Sequence, residues 1–179
     1  MKRCLPILAL ILLITACDQV IFPEPQPRKV KNLSEIPAAL QGTYLDQDLD
    51  TLYVNKHSFS YYSDEYASMK NVYLSDSSVL RIYKDHYFYN SPFLFEGEQF
   101  WLTYILSMNE DGSGFDLYTM DPGDVVKLAK LQEITSKVRD IEGEQSYYVF
   151  EPKKKDYKKI ISDTIFTKMI SFNRITIGE

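Results

Sequence analysis

The chain has 179 residues, with 25 acidic against 20 basic side chains and a formal net charge of −5. That balance lacks the basic footprint that phosphate binding requires, so nucleic acid is not expected as a partner, and it argues against broad attraction to anionic lipid surfaces. Both cysteines, Cys4 and Cys17, fall in the first 17 residues, so the rest of the chain can form no disulfide, thiolate nucleophile or cysteine metal site.

The first residues read as an address. Lys2 and Arg3 give a basic start, and Leu5 to Ile14 is apolar apart from Pro6. That run is half of the roughly 20 residues a membrane span needs. It has the form of a secretory signal peptide and is set aside from the fold. Its boundary, Ile14-Thr15-Ala16-Cys17, resembles a bacterial lipobox: aliphatic, small, small, cysteine. An ordinary A-x-A cleavage site would want a small residue where Ile14 stands. The resemblance implies removal of residues 1–16, lipid attachment to the sulfur of Cys17, and acylation of the new amine. Each buried methylene contributes about 0.8 kcal/mol, so one chain holds weakly and two or three hold firmly. A lipoprotein of the cell envelope is therefore expected, with a membrane partner through its anchor. The outer membrane is favoured over the inner. Asp18 bears on sorting in opposite senses in different lineages, so the leaflet stays open. With Lys2 and Arg3 gone, the mature chain would carry 18 basic and 25 acidic residues, a charge of −7.

Residues 17–36 then read as an acylated cysteine followed by a spacer. Pro23, Pro25 and Pro27 alternate, which favours an extended, semi-rigid tether. One β-rich domain is expected over 37–179. Gln41 to Leu45 reads as its first strand. Leu52 and Val54, then Phe59 and Tyr61, alternate with polar neighbours as a hairpin does. Val72 to Leu74 is a short strand. Val79 to Tyr83 and His86 to Tyr89 flank a tight turn at Lys84-Asp85 that lacks the usual glycine. Gln99 to Leu106 is apolar on both faces, as a buried central strand would be. Asn109 to Gly114 is the clearest turn, and Phe115 to Met120 returns from it. A helix is expected near 130–139, a strand at Tyr147 to Phe150, a short helix over Lys153 to Ser162 and a long closing strand from Phe166 to Ile177. The fold class is mainly β: an antiparallel meander closing into a barrel or half-barrel, with one or two short helices in the last third.

The candidate chemistry is thin. Asp46, Asp48 and Asp50 alternate like the opening of a calcium loop, but Thr51 and His57 stand where glycine and glutamate belong, so a solvated turn is expected. His57 and His86 are too few for a zinc site by themselves. Ser113 lies in the Gly112-Ser113-Gly114 turn and lacks a nucleophile elbow. Lys153, Lys154, Lys155, Lys158 and Lys159 read as the solvated face of a helix. No catalytic residue, metal or cofactor is assigned. The aromatics crowd one region, and Tyr87, Tyr89, Trp101 and Tyr104 are the candidate ligand or partner surface. Gly42-Thr43-Tyr44, the meander and the late helix together resemble lipocalin-like lipoproteins, whose motif has Trp where Tyr44 stands. Two functions are expected: first, a non-enzymatic accessory subunit with an envelope protein partner; second, a carrier of a lipid or other apolar molecule. Cys17→Ser should abolish lipid labelling and shift the protein from the membrane to the soluble fraction. Retention of the label in that mutant would contradict the lipobox reading.

Overall fold

Short runs of alternating apolar and polar residues bury one face of each strand and so favour antiparallel pairing. The computed structural model describes residues 19–63, 68–141 and 147–175; Cys17 lies outside them. The strands are β1 (Gln19–Ile21), β2 (Gly42–Leu45), β3 (Thr51–Val54), β4 (Ser58–Ser63), β5 (Ser68–Tyr73), β6 (Val79–Tyr83), β7 (His86–Phe95), β8 (Glu98–Met108) and β9 (Gly114–Thr119). Helix α1 (Val125–Ile134), β10 (Lys137–Ile141), β11 (Tyr147–Phe150), α2 (Tyr157–Ser162) and β12 (Thr167–Ile175) complete the order. Among the described residues no helix is long and apolar enough to cross a membrane.

Nine strands form one antiparallel sheet in the order β5-β4-β3-β2-β12-β9-β8-β7-β6. The sheet curls into a half-barrel. Phe59 of β4 meets Tyr89 of β7 with 5.7 Å between ring centroids, although five strands separate them in the sheet. A second sheet has the order β1-β11-β10, with β1 parallel to β11.

The central strand β8 is apolar on both faces because both are covered. On the convex side, Trp101 and Ile105 join Val20, Phe22, Phe88, Leu131, Phe150, Tyr157 and Ile160 in one cluster. On the concave side, Leu106 joins Tyr44, Leu52, Leu80, Phe115 and Phe172. The two-residue turns have the backbone that hairpins of this length need. Lys84 and Asp85 have φ of 50° and 62°, and Glu96 and Gly97 have 49° and 82°, matching the paired positive φ of a type I′ turn. Gly114 allows β9 to approach β12 closely: a Cβ there would lie 2.0 Å from the carbonyl oxygen of Phe172.

Residues 19–36 depart from the expected spacer. Val20, Ile21 and Phe22 are buried, and Phe22 exchanges backbone hydrogen bonds with Trp101 at 2.9 and 2.8 Å. The chain does not run extended through the prolines: it bends at Pro23–Glu24 and again at Gln26–Pro27, turns at Arg28–Lys29, and lies against the sheet. Arg81 donates to the carbonyls of Pro25 and Pro27 and, at 2.8 Å, to Asn32 Oδ1. Asn90, fully buried, accepts from the Gln26 amide at 2.6 Å and donates to the Gln26 carbonyl at 2.9 Å. Thr103 donates to the same Asn90 oxygen at 2.9 Å. The packed domain therefore includes this segment, and Gln41 is not the start of its first strand. The first helix also begins earlier than expected. Asp124 caps it by accepting from the Lys127 amide at 3.0 Å, and the region near Val138 is strand β10, paired with β11.

Asn90→Ala would leave the Gln26 amide and the Thr103 hydroxyl buried without this acceptor. We expect a loss of about 2–4 kcal/mol in urea unfolding. Arg28→Ala, which breaks only partly exposed ion pairs with Glu24 and Glu151, should cost about 1 kcal/mol or less. Equal effects of the two substitutions would contradict this account.

Candidate functional site

A curled sheet cannot fill its own concave side unless its inward side chains meet across the gap. Here they meet only in part, and a cavity of about 540 Å³ remains, within the range of small-molecule sites. Its floor is Leu52, Leu106, Phe115 and Phe172, all buried. Its walls carry Phe59, Tyr61, Tyr89, Tyr104 and Leu117, and its rim includes the exposed Lys70 and Met169.

The walls are stiffened by ring contacts. Tyr89 stacks on Tyr104 at 6.1 Å and meets Phe59 edge-on. On the other wall, Tyr61 meets Phe172 at 6.5 Å, and Phe172 meets Phe115 at 5.1 Å. Phe115 in turn meets Tyr44 at 5.0 Å. Such pairs add about 0.5–1.5 kcal/mol each beyond burial. Beneath the second wall, Tyr44 donates to the Leu40 carbonyl at 2.8 Å and lies under the Arg174 guanidinium at 4.9 Å. Arg174 also donates to the carbonyls of Gln41 and Ala39. This ties the chain around residues 39–44 to β12.

The polar groups at the cavity are few. Tyr61 donates to Asp46 Oδ2 at 2.7 Å, with Asp50 Oδ2 at 3.0 Å. Burial first, then those two carboxylates, push its phenol pKa up strongly. Burial also raises the Tyr104 phenol, with Tyr89 adding to the effect. Ser78 donates to the Tyr89 hydroxyl at 3.2 Å. Among the described residues the lining offers neutral hydroxyls and one ammonium, that of Lys70. Such a set can orient a ligand, and it contains no paired nucleophile and base.

The four residues expected from the sequence separate into two groups. Tyr89 and Tyr104 line the cavity. Tyr87 is buried in the concave core below it, and Trp101 is buried on the opposite side of the sheet. The cause is strand alternation: Trp101 and Tyr104 are three residues apart on β8, so they point to opposite faces. Leu52, Phe59, Tyr61, Phe115, Leu117 and Phe172 were not singled out as site residues. Their shared alternation was the available signal.

The remaining motifs act locally. Asp46 Oδ1 accepts from the amides of Asp48 and Asp50 at 2.9 and 3.0 Å, which organises the β2–β3 turn. His57 is exposed in the β3–β4 turn. His86 lines a smaller pocket of about 200 Å³ beside α2, where burial lowers its pKa. The Ser113 amide donates to Asp111 Oδ1 at 2.9 Å within its turn.

No protein-family model, curated protein or solved structure matches the chain.

Burial raises the phenols of Tyr44, Tyr61, Tyr104, Tyr118 and Tyr157 above 10.0, the value expected for the unfolded chain. The stability they contribute is complete below about pH 10 and is lost as pH rises through the folded values. Urea midpoints should therefore fall above about pH 10, with ultraviolet phenolate absorbance rising together with unfolding. Tyr61→Phe should make that fall shallower. Phenolate formation by all tyrosines in the still-folded protein would contradict the assignment.

Proposed function

We propose that this is a lipid-anchored envelope protein whose half-barrel binds an apolar small molecule. The observation that carries the reading is the aromatic-walled cavity of about 540 Å³, open at its rim and floored by buried Leu52, Leu106, Phe115 and Phe172. Filling such a cavity removes apolar ligand surface from water at about 25 cal/mol per Å². The route of the chain supports an apolar source close by. Gln19, which opens β1, is the second residue after Cys17. Two residues span at most about 7 Å. An acyl group on Cys17 would therefore hold the domain directly at the lipid surface instead of lifting it on a long spacer.

A second reading, an accessory subunit of an envelope assembly, is favoured by the convex face of β2 to β5. By strand alternation that face presents Thr43 and Leu45, Thr51 and Tyr53, Ser58, Ser60 and Tyr62, then Met69, Asn71 and Tyr73. None is charged, in a chain that is 25% charged. Met69 and Tyr73 are 54% and 64% exposed. Tyr, Ser and Asn together make adaptable contact surfaces.

The first reading is tested with an apolar fluorophore, N-phenylnaphthylamine, whose emission rises on leaving water. Leu117→Trp, which fills the cavity from its wall, should weaken binding about tenfold or more. Trp101→Phe, on the opposite side of the sheet, should lower stability by about 1–2 kcal/mol and leave fluorophore affinity unchanged. Unchanged binding in Leu117→Trp would remove the cavity as the site.

A further inference from the structure

The cavity is apolar almost throughout, and among the described residues its one formal charge stands at the mouth. Lys70 lies on β5, the outermost strand of the sheet, beside Tyr61 on β4 in register. Its neighbour at i+2, Val72, lines the same wall. Among the described residues no carboxylate forms an ion pair with it. Two carboxylates beside this wall, Asp46 and Asp50, are engaged by the Tyr61 hydroxyl. An ammonium on a flexible stem, at the open end of an apolar pocket with buried leucine and phenylalanine at its base, is complementary to a molecule with an apolar chain and an anionic head.

We infer that the cavity takes a single-chain anionic amphiphile, with its chain over Leu106, Phe115 and Phe172 and its head paired with Lys70. This rests on the cavity being a binding site and adds the class of ligand. Lys70 also has a purely protective reading, because an inward-pointing charge on a free edge strand discourages edge-to-edge pairing. The two roles separate experimentally. Binding to an uncharged amphiphile is indifferent to an edge guard and to a head-group cation alike, whereas the difference between charged and uncharged heads belongs to the cation alone.

The experiment is calorimetric titration of the whole mature chain, residues 17–179 with Cys17→Ser so that no acyl group of its own competes. Laurate, dodecanol and dodecyltrimethylammonium are compared below their micellar concentrations, alongside N-phenylnaphthylamine. Laurate should bind roughly tenfold more tightly than dodecanol, and the cationic amphiphile most weakly. Lys70→Met should erase the advantage of laurate while keeping dodecanol affinity, and Lys70→Arg should retain it. Equal affinity for all three heads, unchanged in Lys70→Met, would overturn the inference and leave the cavity reading intact. Tightest binding of the cationic amphiphile would overturn it by giving the preference to Asp46 and Asp50. Self-association of Lys70→Met with an unaltered ligand order would make Lys70 an edge guard and overturn it as well. Failure of all three amphiphiles and of the fluorophore would bring down the cavity reading itself.

Discussion

The buried carboxamide of Asn90 fixes the register on which the two layers of the fold depend. A carboxamide buried without partners costs several times what a satisfied one contributes, so it dictates what must stand opposite. Here it selects the backbone of Gln26 and the hydroxyl of Thr103. That choice lays the proline-rich segment along β6 to β8 and brings Val20 and Phe22 into the convex core. Arg81 repeats the device one strand away on the carbonyls of Pro25 and Pro27. Prolines suit this role because they bring no N–H to satisfy and their carbonyls remain free to accept.

The helices α1 and α2 and the small sheet cover the convex side of the large sheet over β6 to β9 and leave that of β2 to β5 exposed, so over β6 to β9 only the concave side is left to satisfy. Nine strands carry more curvature than their inward side chains can fill. The rings of Phe59 and Tyr89 meet across the gap, yet the space between Leu106, Phe115 and Phe172 stays open. The cavity is thus a consequence of one-sided packing. Its polarity is lopsided: Asp46 and Asp50 lie behind the Tyr61 hydroxyl, and Lys70 stands at the rim without an ion pair among the described residues. The same segment that closes the convex core follows directly on Cys17, so the expected anchor and the wall of the cavity would share one rigid unit.

The larger part of the fold was legible wherever a local rule decided it. The alternation of Leu52 and Val54, and of Phe59 and Tyr61, sets one face of β3 and β4 and needs no partner to be read. The two-faced apolarity of β8 announced a strand covered on both sides. The half-barrel with two late helices followed from such runs. What was not legible depends on distant partners. The segment 19–36 looks like a spacer because its prolines dominate the local pattern, and distant partners, Arg81, Trp101 and Asn90, the last 64 residues from Gln26, show it to be docked. Helix α1 was misplaced because Ile134 and Val138 continue its spacing by chance, while the cap at Asp124 and the pairing of β10 with β11 fix its true limits. In the site, Tyr89 and Tyr104 were found as part of an aromatic crowd. Composition does not say which face a ring occupies, so Trp101 was grouped with them although alternation sends it to the other side.

The measurement closest to the central claim is mass spectrometry of the protein expressed from its full sequence and purified under gently solubilising, native conditions, with protein and lipid both read from the eluate. The account predicts a monomer that carries a defined amphiphile beyond its own anchor, retained under native ionisation and lost when the cavity is filled. A stoichiometric protein partner with no such amphiphile would contradict it and assign the uncharged convex face, not the cavity, as the working surface.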